Sequence, residues 1–454
     1  MNSLDVLLIN APSPKPGMFY LEKRQGFLPP LGLGYLATYL KEKAYTVKII
    51  DLLLPNKTVD TVKTVLRHNK THVVGFSCTT ETYKTALRLA RMVKEVNAQA
   101  VVVFGGPHVS FEYESALDTN LIDYVVINEG ERSLVKLCDY CIRGVGNLED
   151  LKGIAYKKEG IVYCAEPEPF ITDLDELPFP NRLLFDDLFD YTNSSTILTS
   201  RGCPGSCIFC AASVLSGGKY RMRSAENIVS ELEYLKSLGF SRVDVLDDTM
   251  TASVTRLDEI LDKLLQRDLK LSLYCESRVD SVSRDILKKM KMAGFDFIQF
   301  GVESGNQKIL DSIKKDITLE QIRNVFEWCK ELEINTITNM IIGQPSDDTD
   351  SIKDTIRIAE EIHSTGAEVS FTVCTPFPGT AIWENTKKFG IKVVDFDLDH
   401  YDTFTPVFNT RAFNTGEIRN LLYNAMKTLG KMQISRIPVN ITDDSVKHSV
   451  GNIM

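Results

Sequence analysis

Three of the ten cysteines fall within eight residues, in the segment Arg201-Gly-Cys203-Pro-Gly-Ser-Cys207-Ile-Phe-Cys210. Spacings of three and two intervening residues allow one loop to offer each thiolate to a different corner of a cubane iron–sulfur cluster. Three cysteines leave one iron of such a cluster without a protein ligand, which makes that iron reactive. The sequence therefore predicts a 4Fe–4S cluster whose metal ligands, and catalytic residues, are Cys203, Cys207 and Cys210.

A zinc site and a chance grouping of cysteines both fit this segment less well. Structural zinc takes four ligands, and no fourth Cys or His lies nearby in the sequence. Chance grouping of core cysteines is disfavoured because Gly202, Pro204 and Gly205 make the segment unsuited to core packing. In contrast, the pair Cys138-Asp-Tyr-Cys141 lies in a helical pattern and follows no strand, which indicates a packed helix face.

The elements that must position the cysteines alternate between strand and helix. Apolar, β-branched runs occur at 195–200, 242–247, 271–277, 295–301, 336–342 and 368–374, each followed by a helical pattern. Six such units suit a partial βα barrel better than a closed barrel of eight. The cysteine group follows directly on the first of these strands.

The first 145 residues show a second alternation of this kind. Strand candidates lie at 5–10, 46–51, 72–77, 100–105 and 124–129, separated by amphipathic stretches. This order predicts an α/β domain with a doubly wound parallel sheet, which binds ligands beyond the carboxyl ends of its strands.

Small, hydroxyl-bearing and glycine residues follow the strands of this predicted sheet. They suit close approach by a flat or phosphate-bearing ligand, although tight βα turns favour the same residue types. The candidate binding residues here are Ser13, Ser77, Thr79, Thr80, Gly105, Gly106, Pro107, His108, Asn128 and Glu129.

Domain boundaries follow from a hairpin pattern at 151–165 and an aperiodic stretch with four prolines at 165–182. We predict an N-terminal α/β domain at 1–145, a hairpin and proline-rich linker at 146–190, the partial barrel at 191–385 and a short, mostly helical C-terminal extension at 386–454. In that extension we expect Tyr401, Phe404 and Phe408 to be core rather than pocket lining.

The composition is that of an ordinary globular protein, with 43% hydrophobic and 25% charged residues. A formal charge of −9 disfavours nucleic acid and anionic membranes as partners. No apolar run approaches the roughly 20 residues that cross a bilayer. The N-terminus lacks the basic start of a signal peptide, so we expect a cytoplasmic protein with mostly reduced cysteines.

The cysteine group at the end of the first barrel strand resembles the signature of the radical S-adenosylmethionine (SAM) superfamily, and Phe209 before the third cysteine fits it. The resemblance covers about 190–385 and implies that the open iron is chelated by SAM. One-electron reduction would then release methionine and a 5′-deoxyadenosyl radical. The resemblance also implies SAM-binding contacts at successive strand ends, from Asp247, Asp248, Glu276, Arg278, Glu303, Ser304 and Gly343.

The N-terminal half resembles the cobalamin-binding class of this superfamily (class B, methyltransferase-like), through PPLGLGYLATYL at 29–40, the Gly105-Gly106-Pro107-His108 stretch and Asn128-Glu129-Gly130-Glu131. This implies a Rossmann-like cobalamin domain ahead of a partial TIM barrel. The Asp-x-His-x-x-Gly motif of other cobalamin proteins is absent, so the cobalt would lack a histidine ligand from that motif. His108 is a candidate for wall contacts, with a solvent-facing loop position as the alternative.

The resemblance implies methylation of an unactivated carbon, or less often phosphorus, in a small-molecule or peptide natural-product intermediate, through the 5′-deoxyadenosyl radical and methylcobalamin. Flavodoxin or ferredoxin would supply electrons. One alternative is radical dehydration, epimerisation, cyclisation or oxidation, with a vestigial or redox-only cobalamin domain. Methylthiolation is disfavoured because the N-terminal domain lacks three cysteines spaced for a second cluster. A non-catalytic iron–sulfur or cobalamin sensor is disfavoured because no basic DNA-binding helix is evident.

Overall fold

The computed structural model describes residues 2–13, 28–185, 191 and 194–430 of the 454-residue chain. Its N-terminal part forms a seven-stranded sheet with the order β2-β1-β3-β4-β5-β6-β7. The strands are β1 (Asn2–Asn10), β2 (Val47–Asp51), β3 (Asn69–Ser77), β4 (Val101–Gly105), β5 (Tyr124–Val126), β6 (Ile154–Lys158) and β7 (Ile161–Cys164). The first five are parallel in the order 2-1-3-4-5, which places a switch point between β1 and β3.

Helices cover both faces of this sheet, as predicted for a doubly wound domain. They are α1 (Leu31–Glu42), α2 (Val59–His68), α3 (Tyr83–Val96), α4 (Pro107–Phe111), α5 (Tyr113–Asp118) and α6 (Glu131–Cys138). Because side chains alternate along β1, Leu8 packs with α1 and α6 on one face, while Leu7 packs with α2 and α3 on the other. Cys138 and Cys141 belong to the first of these cores, which confirms the packed helix face.

The hairpin predicted at 151–165 forms as β6 and β7, but it does not stand in a linker. β6 pairs antiparallel with β5 and so extends the N-terminal sheet beyond residue 145. The reason is burial, because Ile154 and Tyr156 of β6 complete the core beneath α6.

The second part of the described chain contains a six-stranded parallel sheet with the order β15-β14-β13-β12-β11-β8. Its strands are β8 (Ser194–Ile197), β11 (Arg242–Val245), β12 (Ser272–Ser277), β13 (Phe295–Glu303), β14 (Asn335–Ile342) and β15 (Glu368–Val373). Two further strands, β9 (Ser200–Arg201) and β10 (Arg221–Met222), form a short antiparallel ribbon after β8. All six predicted barrel strands are therefore present, in sequence order across one sheet.

Helices on the outside of this sheet complete the βα units. They are α7 (Ala212–Leu215), α8 (Ala225–Ser237), α9 (Val254–Arg267), α10 (Arg284–Met292), α11 (Gln307–Ser312), α12 (Leu319–Glu331) and α13 (Thr349–Ser364). Ser224, Ser253 and Ser283 cap α8, α9 and α10, each accepting a hydrogen bond from a first-turn N–H group. Along β12, Leu273 and Cys275 pack under these helices, while Tyr274 belongs to a separate cluster with Phe297 and Ile337.

The barrel part ends with α14 (Ala381–Glu384). The C-terminal extension contains α15 (Thr386–Phe389), β16 (Lys392–Val393), β17 (Phe408–Asn409) and α16 (Thr415–Thr428). Tyr401 and Phe408 are core residues, as predicted, and Phe404 is half-buried. The extension also contacts the N-terminal part, since Lys84 of α3 pairs with Asp397 at 2.7 Å. Among the described residues, no helix combines the length and the apolar character needed to cross a membrane.

Candidate functional site

The cysteines lie in residues 202–210 (the cysteine loop), the first part of an excursion that leaves β9 and returns through α7 to β10. Arg201 pairs with Arg221 across the β9–β10 ribbon, so the excursion between them is closed at its base. Gly202 begins the loop with a φ of +89°, where a side chain would collide with the carbonyl oxygen of Lys219. The glycine thus permits the sharp exit from β9 that carries Cys203 toward the barrel mouth.

Two backbone hydrogen bonds fix the middle of the cysteine loop. The Ile208 N–H group donates to the Ile313 carbonyl at 3.1 Å, and the Ile382 N–H group donates to the Ile208 carbonyl at 3.2 Å. The loop is therefore held by the segments that follow β13 and β15, on the other side of the barrel mouth from β8.

Two of the three thiols lie beside the missing side chain of Gly205. A Cβ atom at Gly205 would lie 3.3 Å from Cys203 Sγ and 4.0 Å from Cys207 Sγ, so the glycine keeps this space free. The Gly205 N–H group lies 3.4 Å from Cys203 Sγ, and the Ala212 N–H group lies 3.5 Å from Cys210 Sγ. Burial raises the pKa of Cys210 to about 11, and the Ala212 N–H group acts against this by favouring the thiolate.

This arrangement fits a cubane cluster better than a single ion. Among the described residues, no three His, Cys, Asp or Glu side chains converge on one metal position. A cubane does not need such convergence, because each cysteine ligates a different iron. The separated thiols, the vacant side-chain position at Gly205 and the N–H groups beside sulfur are the features that a three-cysteine 4Fe–4S site requires.

The two aspartates at the end of β11 have different roles. Asp247 is buried and accepts hydrogen bonds from the Thr199 N–H group at 2.6 Å and from Ser200 Oγ at 2.5 Å. It therefore joins the end of β8 to β11 and fixes the start of the cysteine loop. Asp248 lines the interdomain cleft described below and accepts a hydrogen bond from the Gly202 N–H group. Burial and the neighbouring Asp247 carboxylate raise the pKa of Asp248.

Glu276 and Arg278 end β12, as predicted. Burial, followed by the Asp248 carboxylate, raises the pKa of Glu276 to about 7, so this carboxyl group can donate or accept a proton near neutral pH. Arg278 does pair with a carboxylate, but with that of Asp280 in its own loop, through contacts of 2.9 Å. Its guanidinium also donates to the Lys315 carbonyl at 2.6 Å.

A buried ion pair lies beside the cysteines at the end of β13. Glu303 has a φ of +72° and its carboxylate lies 2.9 Å from Lys315 Nζ, with both side chains at most 10% exposed. A Cβ atom at Gly301 would lie 2.6 Å from Lys315 Nζ, so this glycine makes room for the ammonium group. Sequence reasoning missed Lys315, because it lies in the run Ile-Lys-Lys-Asp, which is typical of a solvated surface.

Ser304, Gly343 and Phe209, for which SAM contacts remain a prediction, also have contacts within the fold. Ser304 is buried and its Oγ lies 3.1 Å from Thr355 Oγ1. A Cβ atom at Gly343 would lie 3.0 Å from Ile418 of α16, so the glycine allows that helix to approach. Phe209 packs partly buried against the barrel core.

A cleft of about 350 Å³ separates the carboxyl edge of the N-terminal sheet from the cysteine loop. Its N-terminal wall includes five glycines at helix starts and strand ends, Gly32, Gly75, Gly105, Gly106 and Gly130. Its barrel wall includes Leu198, Gly202, Leu246 and Asp248. The cleft is mostly apolar, and five glycines lie among the residues of one wall, so the lining suits the flat face of a corrin ring and the residues present fit cobalamin.

Five of the residues predicted to bind a ligand in the N-terminal domain line this cleft: Ser77, Gly105, Gly106, Asn128 and Glu129. Gly106 is required there, because its φ is +96° and a Cβ atom would lie 2.7 Å from the Cys78 carbonyl oxygen.

The other five residues turn away from the cleft. Ser13 donates to the Glu81 carboxylate, Thr79 contacts Thr82, and Pro107 begins α4. Thr80 Oγ1 lies 3.1 Å from His108 Nδ1.

His108 takes neither of its two predicted positions. The side chain is 3% exposed and its ring packs on Tyr83 with a centroid distance of 4.3 Å. Burial lowers the pKa of His108 to about 4. It is a neutral core histidine, and it is not among the residues that line the cleft.

Comparison with known proteins finds two families in the chain. Residues 17–137 match the B12 binding domain family and residues 197–359 match the Radical SAM superfamily. The chain is 33% identical over 402 residues to the uncharacterized methyltransferase PH0819 of Pyrococcus horikoshii, covering 87% of this chain and 86% of that protein. It is 28% identical over 407 residues to the anaerobic magnesium-protoporphyrin IX monomethyl ester cyclase of Rubrivivax gelatinosus, covering 87% and 72%.

One solved structure has the same fold. The radical SAM methyltransferase TsrM of Kitasatospora setae, with cobalamin and a [4Fe–4S] cluster bound, superposes with a TM-score of 0.71 at 18% identity. The superposition covers 87% of this chain and 81% of that one.

Proposed function

This chain belongs to the cobalamin-binding class of radical SAM enzymes, and from that premise we propose that it methylates an unactivated carbon of a small-molecule or peptide natural-product intermediate. The family assignment rests on the relative that is 33% identical across most of both chains. Membership of this class implies a 4Fe–4S cluster, SAM and cobalamin as cofactors.

Each cofactor has residues suited to it. Cys203, Cys207 and Cys210 would hold the cluster, and the Glu303–Lys315 pair beside Cys207 offers both an acceptor and a donor to the amino and carboxylate groups of SAM. When bound, the cluster supplies an electron for SAM cleavage and cobalamin carries the transferable methyl group. The protein positions these groups and excludes water from them.

The observation that carries the proposal is that one cleft is bounded by both cofactor regions. Gly202, the residue before Cys203, lines the same space as Gly105 and Gly106 of the N-terminal sheet. A substrate in this space would meet the radical source on one side and the methyl carrier on the other. On another side of the interface, the ring of Phe111 packs on Gly379, which joins α4 to the loop after β15.

The test uses SAM with a trideuterated methyl group, cobalamin-loaded and cluster-loaded protein, dithionite, and a small-molecule extract of the source cells. Methylation is expected to give equal amounts of 5′-deoxyadenosine and S-adenosylhomocysteine, together with a product that carries the label. Formation of 5′-deoxyadenosine without S-adenosylhomocysteine or labelled product would contradict methylation.

A second candidate function is radical chemistry without methyl transfer, and one observation favours it. A relative that matches 87% of this chain is a cyclase by name. A non-methylating enzyme would consume one SAM per product and leave no label in that product. The same experiment therefore separates the two candidates.

We further infer a cytoplasmic enzyme that receives electrons from a flavodoxin or a ferredoxin. A thiolate-bound cluster of low potential needs a reducing compartment and a donor of matching potential. Reconstitution with purified flavodoxin in place of dithionite would test the donor, and loss of 5′-deoxyadenosine formation with both carriers would contradict it.

A further inference from the structure

One carboxylate of the N-terminal domain binds both strands at the base of the cysteine loop. Glu129 Oε1 lies 2.9 Å from Arg201 Nη1 and 2.8 Å from Arg221 Nη1. Glu129 Oε2 accepts a hydrogen bond from the Ile171 N–H group at 2.9 Å. Arg201 lies in β9 and Arg221 in β10, so Glu129 binds both strands of the ribbon, one before and one after the segment that carries the cysteines.

The surroundings make this a rigid contact. The Arg201, Arg221 and Glu129 side chains are 15%, 7% and 16% exposed, so solvent screens these ion pairs far less than surface pairs. The ring of Tyr35 lies under Arg201 at 5.3 Å, and the ring of Phe170 lies under Arg221 at 4.9 Å. Both guanidinium groups therefore have little freedom to move away from the carboxylate.

A second carboxylate restrains only one of the strands. Arg201 Nη2 lies 2.6 Å from Glu131 Oε1, in the first turn of α6. Glu129 and Glu131 both line the cleft, on either side of Gly130. The cleft wall and the base of the cysteine loop are thus parts of one charged cluster. Because the cluster is buried, loss of one charged side chain would leave the charge of its partner without compensation, which costs stability.

We propose that Glu129 is a positioning residue. By fixing Arg201 and Arg221, it holds the cysteine loop at a constant position relative to the cobalamin cleft. The inference rests on the proposed function, because it assigns Glu129 to the geometry between two cofactors rather than to contact with either. Displacement of reacting groups by about 1 Å can cost a hundredfold in rate, so the position of the loop relative to the cleft matters for any step that needs both cofactors. Steps that need only the cluster and SAM do not depend on it.

The test substitutes Glu129→Gln in the full-length chain, which keeps the size of the side chain and removes its charge. The matched control is Lys84→Gln, which removes the interdomain ion pair with Asp397, where the two side chains are 38% and 42% exposed. The first measurement is backbone hydrogen exchange of residues 200–222. We expect Glu129→Gln to exchange faster by about tenfold, because local opening no longer breaks the charged contacts, and Lys84→Gln to match the parent protein.

The second measurement compares S-adenosylhomocysteine with 5′-deoxyadenosine, formed from SAM by protein loaded with cluster and cobalamin and reduced with dithionite. S-adenosylhomocysteine measures transfer of the SAM methyl group to cobalamin. Cobalamin in its two-electron-reduced state supplies the electron pair of the new bond, and S-adenosylhomocysteine is the leaving group. The other product, 5′-deoxyadenosine, measures one-electron cleavage of SAM at the cluster and capture of a hydrogen atom. In Glu129→Gln we expect the ratio of S-adenosylhomocysteine to 5′-deoxyadenosine to fall about tenfold, with iron content unchanged.

Unchanged exchange in residues 200–222, or an unchanged product ratio, would overturn the proposal. If Glu129→Gln does not fold, Glu129→Asp replaces it, because the shorter carboxylate keeps the charge but cannot reach both arginines. Failure of the proposed function gives a different result, in which the parent protein itself forms no S-adenosylhomocysteine. The exchange measurement then still decides whether Glu129 holds the loop.

Discussion

The cysteine loop and the interdomain cleft suit their cofactors in opposite ways. The loop provides side chains, with two of the three thiols beside the vacant position at Gly205 and an N–H group beside each of Cys203 and Cys210. The cleft provides a mostly apolar surface, with five glycines among the residues of its N-terminal wall. A cofactor bound through covalent bonds needs a particular donor at each position, whereas a flat ring needs an open surface.

Some polar residues predicted for the cleft make contacts within the protein itself. Hydroxyl groups at strand ends satisfy neighbouring groups in the turn, as Thr80 does for His108. Carboxylates at the same edge bind arginines of the barrel, as Glu129 does. A cleft that binds by shape leaves its polar residues free to hold the two domains together.

The comparison predicts that the loop tolerates no loss of a side chain. Cys207→Ala should abolish 5′-deoxyadenosine formation, a loss well beyond the roughly 10–100-fold cost of removing an outer partner of a metal ligand. Iron content and the 5′-deoxyadenosine rate are the measurements. Cys141→Ala, in the packed helix face, is the control and should retain both. A Cys207→Ala protein with full iron content would refute the assignment of this cysteine.

A second prediction concerns the barrel, where the protonation state of Glu276 should affect the stability of the protein. Because burial raises the pKa of Glu276 to about 7 from its ordinary value near 4.5, the folded protein binds this proton more tightly than the unfolded chain. Stability supplied by the protonated carboxyl group is therefore lost as pH rises from about 4.5 to 7. The groups facing Glu276 are Asp248, Glu303, Lys315 and Tyr274.

The expected loss over this window is about 3 kcal/mol in the free energy of unfolding. Urea unfolding of the parent protein and of Glu276→Gln at pH 5 and pH 7.5 measures it. The parent should lose stability relative to the variant at the higher pH. Parallel pH dependences of the two proteins would show that Glu276 titrates normally.

The smallest expected effect concerns the shape of the cleft. Gly32 lies on the cleft wall at the start of α1, and no atom lies within 4 Å of the position of its missing Cβ. Gly32→Leu should lower cobalamin affinity at least about tenfold, since one displaced contact surface is worth roughly 1.4 kcal/mol. Gly32→Ala is the control and should stabilise the helix slightly. Unchanged cobalamin binding by Gly32→Leu in a spectrophotometric titration would place the ring elsewhere.

Most of the architecture could be predicted from periodicity, because both halves repeat a strand and a helix. The five parallel strands of the N-terminal sheet and all six barrel strands lie where alternating apolar runs indicate them. The hairpin was predicted as an element, but its position in the N-terminal sheet was not. Its pairing with β5 depends on the free edge of that sheet, which the sequence does not reveal.

The site divides in the same way. The cysteine spacing is local and predicts its own geometry, so Cys203, Cys207 and Cys210 were identifiable from the sequence alone. Lys315 was not, because its burial depends on the room left by Gly301 fourteen positions earlier and on the carboxylate of Glu303. The role of Asp247 was also hidden, since its partners Thr199 and Ser200 lie nearly fifty positions earlier, between the end of β8 and the start of β9.

The walls of the interdomain cleft come from residues as far apart in the sequence as Leu8 and Asp248. During synthesis, all strands of the N-terminal sheet have emerged once residue 164 is made, and Phe185 and Tyr191 complete its second core soon after, so that part can fold first. The opposite wall exists only after more than half of the chain has left the ribosome. Cobalamin can therefore meet both walls of this cleft only after residue 248 has been made.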